Sequence, residues 1–168
     1  MLTTVSAGYA PIQIALHWCI ATLVIFQLVF GESMVKATEA AEDGEQIGGT
    51  DALLATAHYW VGLSILALVI LRLGVRLKLG APVLAERNPS LAFLAKALHW
   101  AFYALLVIVP VTGLLAVYAN SEIGEIHQLA KPVFIVLIVG HATAAVFHQF
   151  ILGDGTLKRI LVPVKQTP

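Results

Sequence analysis

Charge is what this 168-residue chain has least of: 12% of its residues are charged against 59% hydrophobic, and the mean hydropathy is +0.88. A soluble domain would carry about twice that charged fraction, so the composition excludes a water-soluble class and indicates an integral membrane protein. Cysteine is nearly absent. The single Cys19 rules out an internal disulfide and a thiolate iron–sulfur centre, and no CxxCH run exists for covalent cofactor attachment. Soft sulfur is scarce as well, with Met1 and Met34 the only methionines, and no Asp or Glu interrupts the interior of the apolar runs. Copper paths recruit sulfur and proton relays recruit carboxylates, so a metal or proton transporter is a remote alternative. Formal net charge is zero, which leaves no electrostatic footprint for nucleic acid.

What the chain does have is four apolar runs, at about 12–30, 52–77, 93–118 and 125–152. Each reaches the ~20 residues needed to cross a bilayer, and none shows the period-2 alternation of a strand. The first follows a short uncharged N-terminus, with no basic n-region before it and no small-residue cleavage site after it, so it reads as an uncleaved first helix. The expectation is an all-α, integral membrane four-helix bundle forming one domain over 1–168. Gly31 to Asp51 reads as a polar, acidic loop with turns at Gly44, Gly48 and Gly49; Gly80 to Ser90 reads as a proline-containing connection, and Gly153 to Pro168 as a basic tail. Pro110 and Pro132 should disturb the third and fourth helices.

Charge orients the bundle. Grouping the loops alternately, one side collects Arg72, Arg76, Lys78, Arg87, Lys96, Lys158, Arg159 and Lys165 against Glu86 and Asp154. The other collects Glu32, Glu39, Glu42, Asp43, Glu45, Asp51, Glu122 and Glu125 against Lys36 and Lys131. The positive-inside rule then puts both termini in the cytoplasm, for a multi-pass protein of a bacterial inner membrane.

Orientation gives each of the six histidines a depth. His58 and His127 fall near the outer surface, while His17, His99, His141 and His148 fall near the inner one. His127 and His141 share the fourth run, where helical geometry separates them by roughly 21 Å along the axis and about 40° around it. One intramembrane histidine is explained equally well as a hydrogen-bonded packing residue. Six of them, in two layers drawn from four helices, point to two haems clamped one above the other between pairs of axial imidazoles. Small residues beside them, Gly62 near His58 and Gly140, Ala142, Ala144 and Ala145 around His141, leave room for a flat macrocycle.

The motifs IQIALHW (Ile12 to Trp18), AHYWVGLSILALVILRLGVRL (Ala57 to Leu77), ALHWAFYALLVIVPVTGL (Ala97 to Leu114) and HATAAVFHQF (His141 to Phe150) occur in order at one spacing. Together they resemble the bacterial cytochrome b561 family over nearly the whole chain. The resemblance implies two b-type haems, one ligated by His17 and His141 and the other by His58 and His127, the same pairs that depth allows. Arg72 and Arg76 stand where they could meet haem propionates, although an anchoring role at the lipid interface fits them equally. In the resembling family the inner haem exchanges electrons with ubiquinone; His99, His148 and Lys96 are the residues left over for that quinone, with plain packing the competing role for the histidines.

The implied function is an electron-transfer module between the quinone pool and a periplasmic redox protein. The acidic outer side favours a basic partner and repels an anion. The alternative is an enzyme, a superoxide:ubiquinone oxidoreductase, as some similar proteins are; those carry a longer outer segment than the short link Ala119 to Glu125 found here.

Overall fold

The computed structural model of the chain describes residues 8–82 and 89–163, so Glu86, Arg87 and Lys165, which enter the orientation argument, lie outside the described residues. It is all-helical: α1 (Pro11–Phe30), α2 (Glu32–Glu42), α3 (Gly49–Leu79), α4 (Pro89–Tyr118), α5 (Ile123–Phe150) and α6 (Thr156–Leu161). Four of these, α1, α3, α4 and α5, are long and apolar enough to span a membrane. Much of their apolar surface points outward, as at Ile70 and Val136, which suits lipid and not water.

α1 packs on α3, α3 on α4, and α4 on α5. By contrast, the backbone of α5 makes at most sparse contact with α1 or α3 among the described residues. The buried centre is formed by Ile20 and Val24 of α1, Ile65 and Val69 of α3, Tyr103 of α4 and Phe134 of α5. Lipid tails are as apolar as these side chains, so the cluster holds the bundle by close packing more than by exclusion of water.

Two polar residues are built into this frame. Gln13 is buried; its Oε1 accepts the Ala10 N–H at 3.0 Å and its Nε2 donates to the Gly80 carbonyl at 2.8 Å. Leaving such buried partners unmet would cost about 1–3 kcal/mol. The clamp ties the start of α1 to the end of α3, where Gly80 adopts φ +75°, a conformation open to glycine at little cost. Arg72 joins the same knot by donating Nη1 to the Gln13 carbonyl at 2.8 Å.

Two segments depart from their reading as loop and tail. Glu32–Glu42 is helical because Ala, Glu, Met and Lys are strong helix formers and Glu32 sits in the favourable first turn. α2 lies against α3, fastened where Ser33 Oγ donates to Asp51 Oδ1 at 2.7 Å. Turn geometry is confined to its far end, at Gly44 (φ +72°) and Gly49 (φ +60°). α6 folds back after Gly153 and Gly155. Trp18 Nε1 donates to the Ile160 carbonyl at 3.0 Å, and Gln149 Oε1 accepts the Lys158 N–H. Both prolines sit inside continuous helices, Pro110 in α4 and Pro132 in α5.

Asp154 organises the turn into α6. Partial desolvation works to raise its pKa, but the Thr156 hydroxyl, His148 and the Thr156 N–H together hold it below the usual 3.8. A carboxyl depressed in the folded state contributes stability above its unfolded pKa and loses it as pH falls through the folded one. Amide exchange over α6, corrected for intrinsic rates, should therefore stay slow from neutral pH down to about 3.8 and accelerate below it. Asp154→Asn should show the faster exchange already at pH 7.

Candidate functional site

α5 carries two histidines that look across the seams where its backbone stands away from its neighbours. His141 faces His17 of α1 with ring centroids 6.5 Å apart, and His127 faces His58 of α3 at 6.1 Å. Along every helix the central cluster separates the two layers: His17 precedes Ile20 and Val24, His58 precedes Ile65 and Val69, and Phe134 lies between His127 and His141.

The spacing tests whether a metal-centred macrocycle fits. An imidazole nitrogen stands about 2.0–2.1 Å from a bound transition metal and roughly 1.15 Å from its ring centre, so two rings sharing one ion in line have centres roughly 6.3–6.5 Å apart. Both pairs fall close to that separation. Each also spans helices whose backbones make at most sparse contact among the described residues. The residues fit haem. Among the described residues, no group of three or more His, Cys, Asp or Glu is placed to hold a bare metal ion.

The two layers differ in their support. The His127 Nδ1 lies 2.8 Å from the Val109 carbonyl, and because a carbonyl can only accept, that nitrogen carries the proton and Nε2 keeps its lone pair. Gly113 permits the approach: a Cβ there would lie 3.0 Å from His127 Cε1 and 3.2 Å from Nδ1. His58 has no such anchor; its Nδ1 is buried and unpartnered, as is Oε1 of the nearby Gln27.

The other layer is richer in charge. His99 stands 5.4 Å from His141 in an edge-on arrangement, closer than two rings on one metal would be, and its Nδ1 donates to the Ala95 carbonyl at 2.6 Å. Phe102 packs 5.5 Å from His141. Arg72 is held on the Gln13 carbonyl, while the Arg76 guanidinium lies 5.9 Å from the centre of the Tyr103 ring. Of the remaining residues singled out from the sequence, Lys96 is exposed and His148 is bonded through Nδ1 to Asp154 Oδ2 at 2.5 Å. Sequence reasoning overlooked Gln13, Gln27 and Gly113. A polar residue inside an apolar run was the available signal for the two glutamines, and nothing in the pattern marked Gly113.

Comparison with known proteins gives one consistent answer. The sequence model of a family described as prokaryotic cytochrome b561 matches residues 8–162. Cytochrome b562 of Cereibacter sphaeroides is 35% identical over 95% of this chain and 99% of its own length. A probable superoxide oxidase, CybB, of Yersinia pestis is 25% identical, covering 91% of this chain and 95% of the relative, and cytochrome b561 homolog 1 of Escherichia coli is 26% identical, covering 91% and 96%.

Gly113→Ala tests the close approach of His127 to α4. The added methyl must displace the ring or the helix, an overpacking expected to cost about 1–3 kcal/mol. Thermal unfolding of the detergent-purified protein should show a lower midpoint; an unchanged midpoint would mean that the ring moves aside freely.

Proposed function

The chain belongs to the prokaryotic cytochrome b561 family, and from that premise we propose that it carries electrons across a bacterial inner membrane between the quinone pool and a basic periplasmic redox protein, with two b haems as cofactors. The observation that carries this reading is the two facing imidazole pairs, 6.1 and 6.5 Å apart, at opposite ends of the bundle. Haem held between two imidazoles would supply one-electron transfer in preference to oxygen chemistry.

His58 and His127 would hold the haem on the acidic side, His17 and His141 the one on the basic side. The Val109 carbonyl fixes the His127 tautomer and leaves Nε2 as the nitrogen with a free lone pair. Arg72 and Arg76 supply guanidinium charge at the basic end, where propionates would need it. Ubiquinone as the exchangeable substrate would approach that end, with His99, His148 and Lys96 as its polar contacts. Among these His99 is favoured, because it touches His141 while His148 is committed to Asp154. With the basic end in the cytoplasm, both termini are cytoplasmic and α2 lies outside.

A second reading has one specific support, the relative named as a probable superoxide oxidase. Charge argues against it here. Glu32, Glu39, Glu42, Asp43 and Glu45 crowd α2 and its turn, and Lys36 is drawn to Asp51 at 3.4 Å. That face repels an anion and steers a cation.

Rapid mixing separates the two readings. Under anaerobic conditions a ubiquinol analogue should reduce the bound haem, and a basic oxidised redox protein should then reoxidise it at a rate that falls steeply with salt. Superoxide consumption coupled to ubiquinone at near the diffusion limit, also salt-sensitive, would overturn this preference in favour of the oxidase.

A further inference from the structure

Gln27 is a glutamine inside a membrane helix with no charge to serve and no loop to cap. It lies at the α1–α3 interface, where its Nε2 donates to the His58 carbonyl at 2.9 Å. Its Oε1 is buried without a partner, and so is Nδ1 of the same histidine. These two are the only buried unpartnered side-chain polar atoms among the described residues. One is an acceptor and the other, in the tautomer that leaves Nε2 for a metal, is a donor. Their needs are complementary.

A Cβ at Gly62 would stand 3.1 Å from Gln27 Nε2, and one at Gly31 would stand 2.7 Å from the Gln27 carbonyl oxygen and in ordinary contact with the His58 ring at 3.5 Å. Glycine at both positions lets α1 and α3 bring the amide and the imidazole side by side. Histidines that ligate metals almost always give their other N–H to a carboxylate, a carbonyl or a water, which sets tautomer, orientation and ligand basicity. His127, across the seam, has the Val109 carbonyl for this purpose. His58 has no backbone carbonyl in that role.

We propose that Gln27 is the positioning residue of His58: its Oε1 accepts the His58 Nδ1–H when the ring presents Nε2. This rests on His58 being a haem ligand. The amide thereby holds the tautomer that presents Nε2, and it makes the imidazole a stronger electron donor, which lowers the potential of the haem on the acidic side relative to an unsupported ligand.

The test uses the full-length haem-loaded protein. Gln27→Met keeps the bulk and removes the oxygen; Gln27→Glu restores an oxygen acceptor. In Gln27→Met both haems should be retained, while the midpoint potential of one rises, its near-infrared charge-transfer band shifts, and the other is untouched. Gln27→Glu should return the band toward its wild-type position. Unchanged potentials and band in Gln27→Met, or a Gln27→Glu variant no closer to wild type than Gln27→Met, would overturn the proposal, the latter by reducing Gln27 to a space-filler. His58→Ala is the separate control on the premise: retention of two full haem equivalents there would overturn the ligand assignment and the proposal with it.

Discussion

An imidazole in the middle of a membrane has nothing to bond to except what the protein provides, and this bundle is arranged around that constraint. α5 is held by α4 on one side and stands off α1 and α3 on the other, and its two inward histidines each meet a partner across the gap. Two of the imidazoles are given a backbone carbonyl, Val109 for His127 and Ala95 for His99, while His58 Nδ1 is left without one. The price in packing is visible at Gly113, where no side chain larger than hydrogen fits without movement. Close-packed apolar residues, from Ile20 to Phe134, then fill the space between the layers and keep them apart.

The ends of the bundle are chemically unlike. One carries Arg72 and Arg76 pinned by Gln13 and Tyr103, with α6 folded against it through Trp18 and Asp154. The other is covered by the acidic helix α2, fastened to α3 through Ser33 and Asp51. Such asymmetry suits a protein that meets an uncharged lipid-soluble partner at one face and a cationic soluble one at the other.

The four spans, the juxtaposition of His58 with His127 and the grouping of His17 with His99, His141 and His148 were legible in the sequence because they depend on features a linear pattern records: apolar runs of membrane length, the sign of the flanking charge, and depth along a helix; that His17 faces His141 within that group was implied by the family resemblance alone. α2 was not. Its residues have no long apolar stripe, and its helicity comes from propensity and from the bonds of Ser33 and Lys36 to Asp51, which is remote in sequence. His148 has the depth of the inner layer, yet the turn at Gly153 and Gly155 brings Asp154 back to it, and that fold-back is invisible in hydropathy. Gln13 and Gln27 looked like interruptions of an apolar run. Their meaning lies in what they touch, Gly80 and His58, and only the packed bundle supplies those neighbours.

The central claim is that the bundle holds two haems in two imidazole layers. A dithionite-reduced minus oxidised spectrum of the detergent-purified protein, with a pyridine haemochrome count against protein, tests it most directly. The account requires two b-type haems per chain, low-spin in both redox states. One haem, or none, would contradict it.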